Sequence, residues 1–525
     1  MYSPKWIDNR PIYKQNDDTI LILEADVAKR AAGAILTGLR VDRSLPVPLH
    51  RQLYEELRRS IMSRILLPGM RLPSTRVLAA EMGVSRRTVV DAFLQLYAEG
   101  YVNGRIGAGT YVAATIPDTA GFSAAGPLQD LTEFDRPALS QRFREQWSYS
   151  SVALSHRLSV ETESGAFVFG LPAMDHFPID LWARMTGKAA HALPGLGSGY
   201  QNPAGYGPLR EAVASYLSMA RGVRCSADRI IIVNGSQQAI SLVAHILLNP
   251  GDAVWMEEPG YFGAKGALLG AGAKLIPVPV DGEGIDVAEG LLRCPDARMA
   301  FVTPSHQMPL GVTMSLPRRV ALLEWAAQTK AWVIEDDYDS EYRYASRPLA
   351  ALQGLDRHNR VIYVGTFSKV LFPSLRLGYI AVPEALMNAI IPARIFLDAY
   401  SPLLEQVALA EFMESGHFER HIRRMRALYL ERQGVLVDSA LRDLQGLLEV
   451  SEAEGGMHLA GWLPEGVSDE RAAKAAALAG VRTLPLSYSC LEPLKRSALM
   501  LGYAAVPPSE IVEGVRRLRN VLISL

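Results

Sequence analysis

The stretch Val361-Ile362-Tyr363-Val364-Gly365-Thr366-Phe367-Ser368-Lys369 decides the fold. The apolar run at its start predicts a strand buried on both faces. Two hydroxyl residues and a lysine follow directly, and Arg376 comes seven positions later. The amine can form a Schiff base with an aldehyde, while the hydroxyls and the guanidinium can hold a phosphate dianion. The stretch therefore predicts a pyridoxal phosphate site, and an exposed lysine at a strand end is the alternative.

A second apolar run, Ile230–Val233, is followed by Asn234-Gly235-Ser236-Gln237-Gln238-Ala239, which opens a helical pattern through Leu248. A Gly-Ser turn at a helix start offers backbone N–H groups and the positive end of the helix dipole to a phosphate. The motif therefore predicts part of a phosphate site, and a plain helix N-cap is the alternative.

Two further strand ends carry candidate ring-binding residues. Tyr261, in Glu258-Pro259-Gly260-Tyr261, could stack on a flat ring or be an ordinary loop aromatic. The run Trp332-Val333-Ile334-Glu335-Asp336-Asp337-Tyr338-Asp339 ends a strand in acid. A carboxylate there can pair with a protonated pyridine nitrogen, and a tyrosine two positions on could bind the ring hydroxyl. A solvated turn is the alternative.

These motifs, in this order, resemble the fold-type I aminotransferase family over residues 165–525. The resemblance implies an α/β fold, with a large, mostly parallel sheet domain and a smaller C-terminal α/β domain. It implies Lys369 as the Schiff-base residue, Asp336 as the partner of the pyridine nitrogen, Tyr338 at the ring hydroxyl and Tyr261 at the ring face. It places the phosphate in a cup formed by Gly235, Ser236, Gln237, Thr366, Ser368 and Arg376. Asp337 competes with Asp336, which we prefer because it lies on the same side of a strand as Tyr338.

The front of the chain has a different pattern. Apolar residues fall at helical spacing from Leu49 to Ile65, and a short second helix is predicted from Pro73 to Met82. Ser85 then caps a third predicted helix, Arg86 to Glu99. Two helices joined by a tight turn that contains glycine indicate a helix-turn-helix, and residues 101–112 indicate a wing. A small helical accessory domain is the alternative.

Charge favours DNA as the partner of this segment. Residues 41–112 hold ten arginines, no lysine and six acids, a net charge of +4, although the whole chain is at −1. Arginines on the helices and the wing would attract backbone phosphates, and residues at the start of the third helix can reach base edges. The predicted DNA-binding residues are Arg76, Ser85, Arg86, Arg87, Thr88, Arg105, Gly107 and Gly109.

The segment resembles the GntR-type winged helix through Pro73–Arg76, Gly83–Val89 and Gly107–Val112. A GntR-like reader joined to an aminotransferase-like body is similar to the MocR branch of the GntR regulators. That resemblance implies a transcription regulator that binds a double-stranded DNA operator, holds pyridoxal phosphate, senses a small amine or amino-acid-like effector by aldimine exchange at Lys369, and forms a head-to-tail homodimer. A working aminotransferase with an attached DNA-binding domain, or a regulator that senses pyridoxal phosphate itself, remains open.

One departure from the aminotransferase pattern bears on chemistry. Amino-acid aminotransferases usually present an arginine to the substrate carboxylate, and our alignment places Met500 there. A thioether cannot form the bidentate pair with a carboxylate, which argues against turnover of an ordinary α-amino acid. Three arginines, Arg343, Arg482 and Arg496, are possible substitutes. The sequence leaves a direct effector contact by His306 or Gln307 open as well.

Length and composition predict a globular chain of two or three domains, with 525 residues, 49% hydrophobic and 21% charged. Its three scattered cysteines suit a reducing cytoplasm, and neither a metal motif nor a membrane-spanning run is found. We predict an extension over residues 1–40, the winged helix over 41–113, a linker over 114–165 and the aminotransferase-like domain over 166–525.

Overall fold

A computed structural model describes residues 41–105, 109–114, 140–144, 146, 165–196, 199–344 and 349–525. The chain divides into two compact units, Met1–Pro137 and Ala138–Leu525. The predicted extension and nearly all of the predicted linker lie outside the described residues, so those two boundaries stay predictions. No helix in the described part of the chain is long and apolar enough to cross a membrane.

The described residues of the first unit form three helices and a two-stranded antiparallel sheet. The elements are α1 (Leu49–Met62), α2 (Thr75–Met82), α3 (Arg86–Ala98), β1 (Val102–Arg105) and β2 (Gly109–Val112). Leu53, Leu57 and Ile61 on α1 are fully buried, as their spacing predicts. Ile65 is 54% exposed, so its predicted place in this apolar face is wrong. The helix ends at Met62, Arg64 takes a positive φ of 57°, and Leu66 enters the core in place of Ile65.

The described residues of the second unit form one large and one small sheet. Its strands are β3 (Ile230–Val233), β4 (Ala253–Glu258), β5 (Lys274–Asp281), β6 (Gly284–Ile285), β7 (Met299–Val302), β8 (Trp332–Asp337), β9 (Val361–Thr366), β10 (Gly378–Ala381), β11 (Glu449–Val450), β12 (His458–Trp462), β13 (Leu484–Pro485) and β14 (Ala498–Gly502). Its helices are α4 (Ile179–Leu196), α5 (Gly207–Arg221), α6 (Ser236–Leu247), α7 (Phe262–Gly270), α8 (Val287–Arg293), α9 (Leu316–Thr329), α10 (Leu352–Leu355), α11 (Glu384–Leu397), α12 (Leu403–Glu414), α13 (His417–Asp443), α14 (Asp469–Leu478) and α15 (Pro508–Ile523).

The large sheet has the strand order β3-β10-β9-β8-β7-β4-β5-β6. Strands β9, β8, β7, β4 and β5 run parallel, and β10 runs antiparallel to both of its neighbours. Helices cover both faces, so strands such as Ile230–Val233 are apolar throughout. We call this sheet and its helices the large lobe.

The small sheet has the strand order β11-β12-β14-β13 and is entirely antiparallel. Helices α13, α14 and α15 bury their apolar residues against it, and the segment from Ala166 to Ala173 contributes to the same core. We call this sheet with these three helices the small lobe. The fold therefore agrees with the predicted α/β class, with a large mostly parallel sheet and a smaller C-terminal part.

Candidate functional site

Strand β10 brings two distant polar turns together. Gly378, at its start, lies opposite Val233 at the end of β3 and opposite Thr366 at the end of β9. A Cβ on Gly378 would lie 3.0 Å from the Cα of Gly235, so only glycine lets the strands approach this closely. The turn after β3 and the hydroxyl residues after β9 consequently meet at one edge of the sheet.

This edge has the features of a phosphate cup. Gly235 takes a φ of 92° directly before Ser236 begins α6, and the first-turn N–H groups of a helix have no partner within the helix. Arg376 donates from Nη2 to the Asn234 carbonyl at 2.8 Å, which places its guanidinium beside Gly235. Thr366 Oγ1 accepts from the Ser368 N–H at 3.2 Å. The Ser368 hydroxyl is buried without a hydrogen-bond partner among the described residues.

Gln237 and Tyr261 lie near each other at the next turn. The Gln237 side chain donates from Nε2 to the Gly263 carbonyl at 2.8 Å, which leaves its backbone N–H as the group for the predicted phosphate contact. A Cβ on Gly263 would lie 2.4 Å from the Tyr261 ring. Tyr261 is half-buried, and its ring lies 6.5 Å from that of Phe301. The Tyr261 ring and the Gln237 side chain in the first turn of α6 therefore both border Gly263.

Lys369 is half-buried just after β9. Its Nζ donates to the Gly170 carbonyl at 2.7 Å. Gly170 takes a φ of 76°, and a Cβ there would lie 2.6 Å from the same nitrogen. The amine therefore lies between the large lobe, which carries it, and a segment that packs on the small lobe.

The two neighbouring carboxylates of β8 have different surroundings because successive residues of a strand face opposite ways. Asp337 binds Arg221 at 2.8 Å and accepts from the Tyr363 hydroxyl at 2.5 Å, and both partners are buried. Asp336 is 4% exposed, and its Oδ1 has no hydrogen-bond partner within the described residues. Asp337 is occupied, so the geometry favours Asp336 as the acid that would meet a cationic ring nitrogen.

Electrostatics point the same way. Burial raises the pKa of Asp336 to about 8, and the negative charges of Asp337, Asp339 and Glu257 add to this rise, while Lys369 opposes it. Burial also raises the pKa of Glu257 to about 7, although three hydrogen bonds from Thr303 and Gln307 lower it. A buried carboxyl with this perturbation lacks a positive partner, which a protonated pyridine would supply. Asp336 Oδ1 and the Ser368 hydroxyl, both buried without a hydrogen-bond partner among the described residues, fit pyridoxal phosphate.

Tyr338 and the loop after β7 form a connected polar group. His306 Nδ1 lies 2.9 Å from the Tyr338 hydroxyl and 3.1 Å from Asp339 Oδ1. Gln307 donates from Nε2 to Glu257 Oε2 at 3.2 Å and to the Pro259 carbonyl at 2.8 Å. Of the two open assignments, Gln307 is therefore a satisfied loop residue, and His306 is bound to a predicted cofactor residue.

Several residues around the site carried no sequence signal. Asp398 accepts from Asn234 at 2.7 Å and from Gln238 at 2.5 Å, and it pairs with the fully buried Arg394. This network holds the turn before α6. Arg221, which neutralises Asp337, lies 116 positions away from it in the chain. Only spatial proximity identifies these residues, although the acid run of β8 does imply some cationic partner.

Met500 lies in an apolar cluster on the small lobe. It is fully buried with Leu484, Leu486 and Ala498. Two of the three proposed substitute arginines bind acids outside this cluster: Arg343 pairs with Glu454, and Arg496 bonds to Glu449 at 2.7 Å. The Arg482 backbone N–H donates to the Ala166 carbonyl at 2.8 Å. The position our alignment assigns to a carboxylate-binding arginine is therefore apolar.

The first unit carries the candidate nucleic-acid interface. Gly83 ends α2 in the left-handed conformation and Ser85 caps α3, so the two helices are joined by a tight turn. Arg76, Arg86 and Arg87 are exposed. Arg87 also bonds to Asp91 at 3.0 Å, while Ser85 and Thr88 bond to each other at 2.8 Å. The capping pair stabilises the helix start, which leaves the arginines as the groups that extend from it.

The wing is the antiparallel pair β1–β2. Gly109 takes a φ of 109°, and a Cβ there would lie 2.9 Å from the Nε of Arg71, which the sequence analysis did not select. Gly107 and the Arg105 side chain lie outside the described part of the structure, so their predicted DNA contacts stay predictions.

Comparison with known proteins matches the front and the rest of the chain to two different families. Residues 49–112 match the bacterial regulatory proteins of the gntR family, and residues 175–518 match the aminotransferase class I and II family. The chain is 41% identical over 487 residues to the probable rhizopine catabolism regulatory protein MocR of Rhizobium meliloti, covering 93% of this chain and 96% of that protein. It is 30% identical over 488 residues to the transcriptional regulator TauR of Rhodobacter capsulatus, covering 90% and 96%.

Among solved structures, kynurenine aminotransferase of Pyrococcus horikoshii, crystallised in complex with PMP, is similar with a TM-score of 0.68. It is 28% identical to this chain, and the match covers 74% of this chain and 97% of that one.

Proposed function

The chain belongs to the MocR group of gntR-family transcription regulators, and from that premise we propose that it controls transcription in response to a small amine sensed at Lys369. It is a DNA-binding regulator with an aminotransferase-like domain, and the cofactor of that fold is pyridoxal 5′-phosphate. The observation that carries the proposal is that one chain holds both exposed arginines on a helix-turn-helix and a buried, unpartnered Asp336 oxygen near Lys369.

The residues of the site would divide the work as follows. When bound, pyridoxal phosphate supplies an aldehyde that reacts reversibly with primary amines. Lys369 is the amine that the chain itself offers, and an effector amine would compete with it. Asp336 would hold a proton-bearing ring nitrogen, and the α6 turn with Arg376 would hold the phosphate. Tyr261 would cover the ring face.

The regulatory step rests on the position of Lys369 between the two lobes. Its Nζ is bound to the Gly170 carbonyl, on a segment that packs with the small lobe. An effector that displaces Lys369 changes this contact, and so favours one arrangement of the lobes over another. A ligand shifts such an equilibrium only by its differential affinity, for which about 1–3 kcal/mol is the usual scale.

A head-to-tail homodimer is part of this proposal. The side of the large lobe beside the α6 turn exposes a group of large apolar residues: Tyr200 at 95%, Phe396 at 90%, Ile395 at 50% and Leu397 at 50%. They adjoin Asp398, which holds the α6 turn. Exposed apolar groups of this kind mark association surfaces, and a second copy of the chain is the partner we assign.

We place the protein in the cytoplasm. Its DNA target lies there, and its three cysteines, Cys225, Cys294 and Cys490, are all free thiols in the structure. Free, half-buried thiols suit a reducing compartment.

The rival proposal is a working aminotransferase, because Lys369 and Asp336 are both present. The apolar surroundings of Met500 argue against it, since an α-carboxylate would lack a bidentate partner there. Sustained turnover of an amino acid with a keto-acid acceptor would establish the rival and demote the regulator. The third possibility, sensing of the cofactor itself, predicts that apoprotein and holoprotein differ in DNA affinity without any amine.

The test screens primary amines against the holoprotein by visible absorbance and measures operator binding in the same samples. We expect one class of amine to change both signals together in the native protein. Lys369→Ala should abolish the absorbance response, and Lys474→Ala, which alters an exposed lysine on α14, should leave both signals unchanged. DNA affinity that never responds to any amine or to the cofactor would refute the sensing proposal.

A further inference from the structure

Three residues on two segments form a hydrogen-bonded row beside the site. Asp339 is 1% exposed, and its Oδ1 and Oδ2 lie 3.1 and 3.0 Å from His306 Nδ1. The same nitrogen lies 2.9 Å from the Tyr338 hydroxyl oxygen. His306 is 7% exposed, so water does not compete strongly for these contacts. One imidazole nitrogen therefore serves both a carboxylate and a phenol.

Asp339 determines the positions of the hydrogens on His306 and Tyr338. An ionised carboxylate only accepts, so the hydrogen of His306 lies on Nδ1, where Asp339 can receive it. A nitrogen that carries hydrogen cannot accept one from Tyr338. Nδ1 consequently donates to the phenolic oxygen as well, and the hydrogen of Tyr338 is left to point elsewhere.

We propose that Asp339 and His306 are positioning residues that aim the hydroxyl hydrogen of Tyr338 at the ring oxygen of the bound cofactor. The inference rests on the proposed cofactor site and deepens it. Burial raises the pKa of Tyr338 well above its ordinary value, and the acids Asp339, Asp336, Glu257 and Asp337 raise it further. Tyr338 thus keeps its hydrogen across the working pH range and acts as a donor.

The packing around His306 explains why the ring stays in one orientation. A Cβ on Gly456 would lie 2.2 Å from its Cε1, and a Cβ on Gly311 would lie 3.0 Å from its Nε2. Both glycines have positive φ angles, 94° and 76°. Nε2 is buried without a hydrogen-bond partner among the described residues. Two glycine backbones therefore pack against the far edge of the ring.

The readout is the pH midpoint of the visible absorbance change of the holoprotein. A donor at the ring oxygen favours its ionised form and so lowers that midpoint. Tyr338→Phe should raise the midpoint by roughly half a unit to one unit, the size expected of one hydrogen bond. His306→Leu should raise it by a similar amount. His306→Asn, whose side-chain amide can donate from near the Nδ1 position, should recover most of the native value.

A double-mutant cycle shows whether His306 and Asp339 act by orienting the Tyr338 hydroxyl or through their own packing and charge. In the Tyr338→Phe background, His306→Leu should add no further upward shift. Asp339→Asn removes a negative charge, and this loss alone would lower the midpoint. The proposal is supported if Asp339→Asn raises the midpoint when Tyr338 is present and does not raise it in the Tyr338→Phe background. Equal shifts for either variant in the two backgrounds would overturn it. A normal band with unchanged midpoints would overturn this inference alone, whereas a protein that never acquires a band would overturn the cofactor site too.

Discussion

Gly170 presents its carbonyl oxygen to Lys369 Nζ at 2.7 Å across 199 positions of sequence. The φ of Gly170 is 76°, and a Cβ there would lie 2.6 Å from that nitrogen. Gly170 therefore has two properties that require glycine. Its φ is positive, and there is no space for a side chain between its Cα and the Lys369 amine. These two properties can be tested separately.

Gly170→Ala should weaken uptake of pyridoxal phosphate by about tenfold or more, the scale of one misplaced hydrogen-bonding group. The added methyl displaces Lys369 from the position where its amine is needed. The measurement is a titration of apoprotein with the cofactor, followed by visible absorbance.

Gly446→Ala is the matched control, because Gly446 has a φ of 77° and no atom within 4 Å of the added Cβ. It carries the same backbone strain without touching the site, and we expect the affinity for the cofactor to stay native. Equal affinities in the two variants would show that the contact with Lys369 does not matter.

The neighbouring acids of β8 should respond in opposite ways to loss of charge. Asp336→Asn should lower cofactor affinity strongly and leave the unfolding free energy of the apoprotein unchanged or higher, because Asp336 Oδ1 has no hydrogen-bond partner among the described residues. Asp337→Asn should destabilise the protein by about 3–5 kcal/mol, since Arg221 would remain buried without its charge partner. Denaturant titrations and cofactor titrations of both variants distinguish the roles. If the two variants were equally stable and Asp337→Asn lost more affinity for the cofactor, Asp337 and not Asp336 would be the partner of the ring nitrogen.

The apoprotein should lose stability as pH rises from about 4 to about 8. The folded protein raises the pKa of Asp336 from 3.8 to about 8, so it binds that proton more tightly than the unfolded chain does. Stability from such a group is complete below the unfolded pKa and is lost as pH rises through the folded one. Unfolding free energies measured at several pH values check this.

Asp336→Asn should flatten this dependence, whereas Asp438→Asn, at an exposed position of α13, should leave it unchanged. A pH profile of Asp336→Asn identical to that of the native apoprotein would contradict the prediction. Burial also raises the pKa of Glu335 and of Glu341 to about 7, so part of the slope should persist.

DNA binding should depend on the exposed arginines of α2 and α3. Arg76→Ala and Arg87→Ala should each weaken operator binding. Each lost phosphate contact should also reduce, by about one unit, the slope of the logarithm of the binding constant against the logarithm of the salt concentration. Arg51→Ala removes an exposed arginine of α1 and serves as the control. Fluorescence anisotropy at several salt concentrations gives both quantities. Equal losses for all three variants would indicate general charge attraction in place of a defined interface.

The sequence predicted the parts of the site that follow strands directly. Lys369, Asp336 and the α6 turn each come at the end of an apolar run, and parallel strands in one sheet bring such ends to one edge. The helix-turn-helix was equally accessible because caps and apolar spacing are local. Ile65 was misplaced since a helix end depends on the backbone turn at Ser63 and Arg64, which the apolar spacing does not encode.

What the sequence could not supply are contacts between distant segments. Gly170 meets Lys369, Arg221 meets Asp337, and Asp398 meets the α6 turn only in the folded chain. Asp339 was visible in the acid run, but its role requires the distance to His306. Local pattern therefore gives the candidate reacting groups, and the folded structure shows which distant residues contact them.

Gly311 belongs to the large lobe, and Gly456 leads into β12 of the small lobe. The imidazole of His306 packs between these two glycines, so its position depends on both lobes. A change in the distance between the two glycines would alter the packing of the ring and, with it, the contact between His306 Nδ1 and the Tyr338 hydroxyl. The His306 side chain thereby links the spacing of the two lobes to the direction of the Tyr338 hydroxyl hydrogen.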